Sequence, residues 1–316
     1  MTTGSILICS LFFGMVLTKD KQNIQNFWGL LYDSLYGDND QDISREQLLD
    51  AIDAMEDMFR YREHMAVIEM PLGEIKGKKI LEIGSGAGGH SALFARYGAS
   101  MTSLDITIER VQATAKKFKA LRANDCIAMQ GDGENLPFDK ETFDIVYSNG
   151  VLHHTNETEV AIKEVYRVLK PGGRAIIMLY CKSSWHYWIN MWLFVGILKG
   201  ALLNGINWLG PATEWGGKNK QILVNPITRC YTKRDINSIF SRFEKLSLRK
   251  GEFYFYLIPK LGRLYRRWQI KHYGVHPGGY LVYGEPWPIQ STLERYLGRK
   301  IGFAWFISAK KPEQNI

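Results

Sequence analysis

Short apolar runs alternate with helical stripes through the middle of this chain. ILEI at 80–83, the run MTSL ending at Asp105, CIAMQ ending before Gly131, FDIVYS from Phe143 to Ser148 and AIIMLY after Lys170-Pro-Gly-Gly read as strands. Ser91 to Tyr97, a segment beginning near Ile108 and Glu157 to Leu169 read as the intervening helices. Such βα alternation predicts an α/β chain, doubly wound around a parallel sheet with helices on both faces and a site at the strand carboxyl ends. Further on, Thr232 followed by KRDINSIF reads as a capped amphipathic helix, and Lys245 to Leu257 is a candidate sixth strand. Residues 300–311, KIGFAWFISAKK, are rich in aromatic and β-forming types and suit a final strand.

The flanks follow different patterns. Residues 20–75 form a candidate helical cap, with Phe27, Trp28, Leu31, Tyr32 and Leu35 at helical spacing and EQLLDAIDAMEDMFRYREHM repeating apolar positions at three and four. Before it, SILICSLFFGMVL at 5–17 is apolar but short for a span, with no basic residue ahead and no A-x-A-like site behind. A packed helix, a weak membrane anchor and a true start at Met15 all fit that run. After the fifth strand comes an apolar insertion at 181–210 carrying Trp185, Trp188, Trp192 and Trp208. Asn190, Lys199, Asn204 and Asn207 interrupt it and argue against a transmembrane span. A lid packed on the core and an interfacial amphipathic helix both remain open.

With 316 residues, 46% of them hydrophobic, the chain can bury one large core plus appendages. The simplest division is an apolar segment at 1–19, a helical cap at 20–75, a core at 76–181, an insertion at 182–230 and a C-terminal part of the same fold at 231–316. Cys9, Cys126, Cys181 and Cys230 are far apart with no C-x-x-C pair, so neither a zinc site nor a disulfide framework is indicated. A reducing cytoplasm, with peripheral membrane contact as an addition, is the expected location. Formal net charge is +8, yet residues 229–273 alone hold twelve Lys or Arg against three Asp or Glu. Interleaved with Tyr254, Tyr256, Tyr265 and Trp268, this basic run can meet anionic lipid or an acidic substrate. A solvated face is its default reading, and nucleic acid is disfavoured because no RNA-binding module accompanies it.

The chemistry concentrates in ILEIGSGAGGH at 80–90, where Glu82, Gly84, Gly86 and Gly88 stand in E-x-G-x-G-x-G spacing. A strand that ends in small residues and passes into a helix lets a ligand approach main-chain amides and a helix N-terminus. The spacing differs from the dinucleotide fingerprint G-x-G-x-x-G. Three signals follow in order: Asp105 about twenty residues on, Asp132 in GDGEN, and Asn149, Gly150, His153 and His154 in SNGVLHHT, closed by VLKPGG. Together these runs resemble the class I S-adenosylmethionine-dependent methyltransferases, of the type that includes ubiquinone and menaquinone methyltransferases. The resemblance covers residues 75–181 tightly and the rest loosely.

That resemblance implies a Rossmann-like seven-stranded sheet with its last strand antiparallel. It implies S-adenosylmethionine as cofactor, S-adenosylhomocysteine as product and no metal. The positions matching its cofactor site are Glu82, Gly84, Ser85, Gly86, Gly88, Asp105, Ile106, Asp132, Gly133, Asn149 and Gly150, with Asp105 on the ribose and Asp132 on the adenine amino group. His153 and His154 fall where the family places the transferred methyl, and either can act as a base if the acceptor carries a proton. Tyr32, Tyr36, Arg62 and Trp185 are the candidate substrate contacts. The expected reaction is in-line methyl transfer to a hydroxyl, amine, carboxylate or carbon nucleophile of an apolar or amphipathic small molecule. A catalytically idle relative serving binding or membrane assembly is the alternative, and a nicotinamide oxidoreductase a distant third. Neither the acceptor nor the oligomeric state is written in these motifs.

Overall fold

A computed structural model describes residues 18–36, 43–213, 215–216 and 223–313. The apolar run at 5–17, with Cys9 and Met15, lies outside the described residues. Five parallel strands form first: β1 Lys79–Ile83, β2 Ser100–Asp105, β3 Ile127–Gln130, β4 Phe143–Asn149 and β5 Leu169–Tyr180. They are joined by β6 Glu244–Gly251 and β7 Ala304–Lys310, and β7 runs antiparallel to both its neighbours. In these labels the order across the sheet is β3-β2-β1-β4-β5-β7-β6. Its direction of growth reverses between β1 and β4, and that reversal opens a crevice at the carboxyl edge.

Period-two alternation divides the strands' side chains between two apolar layers. Ile80, Ile145, Tyr147, Ile176 and Phe306 face one layer, while Leu81, Val146, Ile177 and Trp305 face the other. The first layer is covered by α2 Arg45–Arg62, α3 Gly89–Arg96 and α4 Ile108–Leu121, while α1 Lys19–Tyr36 lies at the carboxyl edge. On the second lie α5 Thr158–Val168 and α6 Lys233–Ile239, through Ala161, Val165, Ile236 and Phe240. Two more helices, α7 Gly262–Tyr273 and α8 Thr292–Ile301, fill the connection between β6 and β7.

Capping chemistry sets several boundaries. Ser44 with Gln47, Thr232 with Asp235 and Ser291 with Glu294 form reciprocal boxes at the starts of α2, α6 and α8. The last box shortens the expected final strand. Once Ser291 starts α8, Lys300 and Ile301 complete its last turn, and the strand begins only at Ala304. The candidate sixth strand is likewise shorter than 245–257. It stops at Gly251, where Glu252 takes a left-handed conformation with φ of 64° and turns the chain out of the sheet. The insertion forms a wide-turned π-helix, His186–Leu198, followed by short turns at Ala201–Asn207.

Gly88 shows how tightly the loop after β1 is built. Its φ is +78°, and a Cβ there would stand 2.6 Å from Thr114 Oγ1 and 2.8 Å from the Thr114 Cα on α4. Strain and overpacking therefore act together in Gly88→Ala. Loss of about 3 kcal/mol is expected, read as a lower urea midpoint at unchanged m-value.

Candidate functional site

The crevice is built from strand ends outward. Gly84 N–H and Ser85 N–H donate to the Leu104 carbonyl at 2.7 and 3.3 Å, tying the glycine loop to the tip of β2. Gly84 adopts φ of +78°, and a Cβ on it would lie 2.3 Å from Val151 Cγ2. Only a bare α-carbon lets the loop after β4 close to that distance. Gly86 N–H then donates to Asp105 Oδ2 at 3.0 Å, while Asp105 Oδ1 accepts from the Thr107 amide and hydroxyl at 2.9 and 3.0 Å. Burial pushes the Asp105 carboxyl above its usual range, opposed by these donors.

Ile83, Gly84, Asp105, Ile106, Asp132, Gly133, Gly150 and His154 all line one cavity with Tyr32. Glu82, Ser85, Gly86, Gly88, Asn149 and His153 stand beside it in the same strand ends and loops. Lys21, Ile24, Trp28, Glu134, Val151, Thr155 and Asn156 also line the cavity, and the sequence reading missed them. Glu134, two residues beyond Asp132 in GDGEN, had a local signal. Lys21 had none, because its place depends on how α1 docks. Its ammonium forms ion pairs with Asp132 and, at 2.8 Å, with Glu134 Oε2. Farther along α1, Gln25 Nε2 donates to the Ile106 carbonyl at 2.8 Å, and a Cβ on Gly86 would stand 2.9 Å from the Tyr32 hydroxyl. The helix therefore closes the crevice with polar anchors.

The two histidines have different surroundings. His153 is fully buried with its ring centroid 3.8 Å from that of Tyr180. His154 borders the cavity, 5.1 Å from Trp28 by ring centroids, and its Nδ1 lies 2.9 Å from the Ile227 carbonyl. The carbonyl can only accept a ring proton at Nδ1, whereas the Asn225 amide, whose Oδ1 already accepts from the Ile227 N–H, offers Nδ1 a donor. Asn225 Nδ2 and Thr228 Oγ1 also approach Nδ1, at 3.0 and 3.3 Å.

The remaining candidates are dispersed. Arg62 does not line the cavity. Its guanidinium, with a side chain 3% exposed, donates to both Glu252 oxygens and to the Tyr254 and Tyr283 hydroxyls, and stacks 4.8 Å over Trp287. Trp185 packs on Phe253, with centroids 5.2 Å apart. The side chain of Tyr36 lies outside the described residues. Among the described residues, no group of three His, Cys, Asp or Glu is placed to hold a metal.

Glu82 is buried beneath the loop, accepts from the Ser91 hydroxyl and is pushed up to about 8, chiefly by burial with Asp105 adding to it. Above its ordinary value of 4.5 the folded chain holds a proton there that the unfolded chain has lost. Its contribution to stability is thus fully present in acid and is lost as pH rises toward 8. Buried His64 and His90 are both held below the ordinary 6.5, so their opposing effect is confined to more acidic solution. The melting temperature should therefore fall between pH 6.5 and 8, and Glu82→Gln should flatten that fall by up to about 1.4 kcal/mol per pH unit. An identical slope in wild type and variant would refute the assignment.

A family profile described as a methyltransferase domain matches residues 81–177. The chain is 33% identical over 108 residues to a demethylmenaquinone methyltransferase of Streptomyces griseus, covering 34% of this chain and 45% of that protein. It is 36% identical over 112 residues to a phthiotriol/phenolphthiotriol dimycocerosates methyltransferase of Mycobacterium tuberculosis, covering 35% and 39% respectively. It thus spans less than half the length of these curated relatives. In fold it is similar to a solved phosphoethanolamine N-methyltransferase 2 from Haemonchus contortus, with a TM-score of 0.52 and 18% identity over 86% of this chain and 61% of that one. Residues 81–177 thus form a methyltransferase domain of the class I S-adenosylmethionine-dependent superfamily.

Proposed function

We propose that the chain transfers a methyl group from S-adenosylmethionine to an apolar or amphipathic small molecule. One observation carries the proposal: the glycine loop, Asp105, Asp132 and the Gly150–His154 turn, dispersed over seventy residues of sequence, line a single crevice at the sheet's reversal point. The residues present fit the cofactor. Gly84 lines the cavity, and Asp105 and Asp132 put carboxylates at successive strand tips beside it, where hydroxyl and amino donors can be held. Lys21 now holds Asp132, so an adenine there requires that ammonium to turn toward Glu134 alone. A bound sulfonium supplies an electrophilic methyl group.

The chain's own residues supply the rest. Trp28, Tyr32 and the α1 backbone exclude water from the crevice, and Ile24, Ile83 and Ile106 give it apolar walls. The His154 imidazole, at the cavity wall, can take the proton of a hydroxyl or amine acceptor. His153, packed against Tyr180, serves the wall rather than the proton. Apolar acceptors suit the aromatic lining, and the relatives above are named for demethylmenaquinone and for phthiotriol dimycocerosates as acceptors. Lys21 on Asp132 also favours a second reading, in which the crevice is permanently plugged and the fold serves binding alone.

Calorimetry separates the two readings. S-adenosylmethionine and S-adenosylhomocysteine should bind at micromolar level with NAD and NADP silent, and Asp105→Ala should weaken binding at least tenfold. Absence of binding to folded protein would favour the plugged reading. With an acceptor found by labelled-methyl transfer to a panel of quinols and lipids, His154→Gln should lower turnover on a protic acceptor by about a hundredfold or more. His153→Gln should instead lower the melting temperature. Equal turnover of wild type and His154→Gln would remove the base.

A further inference from the structure

Two elements leave the carboxyl edge of the sheet and expose apolar side chains on the same rim. From the end of β5, the π-helix His186–Leu198 and the turns after it present Trp188, Ile189, Trp192, Leu193, Leu198 and Leu203 to solvent, the last 90% exposed. From the end of β6, α7 and the residue before it present Leu261, Leu264 and Trp268, with Leu261 and Leu264 each more than 60% exposed. Rings connect the two. Trp185, Phe253, Phe255, Tyr265 and Trp268 follow one another with centroid separations of 5.0–5.4 Å. Monomeric surfaces rarely expose so many large apolar side chains along one rim without using them.

Charge selects the partner. No Asp or Glu occurs between Glu164 and Glu214, or between Glu252 and Glu285, so neither element carries a carboxylate. Lys260, Arg263, Arg267 and Lys271 are exposed around the apolar residues of α7, and Lys199 caps the π-helix. A symmetric pairing of two copies through this rim would press like charges together. An anionic bilayer meets both features at once, with Trp and Leu entering the interface and Lys and Arg meeting the headgroups. Among the described residues no helix is long and apolar enough to cross a membrane, so contact through this rim lies along the surface.

We infer that the rim formed by helix 186–198 and α7 is a docking face for anionic lipid surfaces. This inference rests on exposure and charge and is independent of the methyl-transfer reading. It is tested by flotation of the full chain with phosphatidylcholine vesicles, with and without phosphatidylglycerol. The wild type floats with the anionic vesicles and is released by salt. Arg263→Gln with Arg267→Gln lowers partition about thirtyfold, and Trp188→Ser with Trp192→Ser lowers it for anionic vesicles, both with unchanged circular dichroism. Wild type that stays at the bottom with anionic vesicles overturns the inference. So does flotation that ignores lipid charge, or a dimer in lipid-free solution that the tryptophan pair dissolves.

Discussion

The Asp105 carboxylate organises the site. It accepts from Gly86 on one strand's loop and from Thr107 on the next helix's approach, so one buried group fixes the relative height of two strand tips. Everything above the sheet inherits that height. The approach of Val151 to Gly84 and the lie of α1 over the crevice both presuppose a glycine loop that cannot drift. A buried carboxylate is costly unless donors surround it, and here two of the three donors are main-chain N–H groups that no side-chain substitution short of proline can remove.

Much of this was legible in the sequence because it obeys local rules. The five parallel strands announced themselves as short apolar runs, the first four ended by Gly, Asn or Asp, and the glycine spacing marked the loop. The capping box at Thr232 located α6. What local rules could not show was set by long-range contact. Lys300 and Ile301 look like strand residues until Ser291 and Glu294 commit them to a helix. Glu252 ends β6 through a left-handed backbone that no side-chain pattern foretells. Lys21 and Gln25 enter the crevice only because α1 folds back across the sheet edge. His153 and His154, adjacent in sequence, part company because a short helical turn, Leu152–His154, sends one toward Tyr180 and the other toward Trp28 and Ile227.

Arg62 illustrates a different lesson. Read from sequence it is a cation ready for a substrate; in the fold it is a brace between the end of α2 and the segment after β6. Glu252 neutralises it, and Tyr254, Tyr283 and Trp287 replace the water it gave up. A pair this deep contributes little net stability, but it penalises any packing that separates the partners. It therefore fixes where the residues after Gly251, and with them the start of α7, sit relative to the cap.

The ion pair of Lys21 with Asp132 and Glu134 has a thermodynamic corollary. The first turn of α1 and any ligand that claims Asp132 draw on the same carboxylate, so their affinities are linked and the linkage is reciprocal. Whatever loosens the helix's hold on Asp132 strengthens the ligand's by the same factor, and a ligand seated there in turn releases the start of the helix. The position of α1 is thus a reporter of occupancy that needs no chemistry to be read.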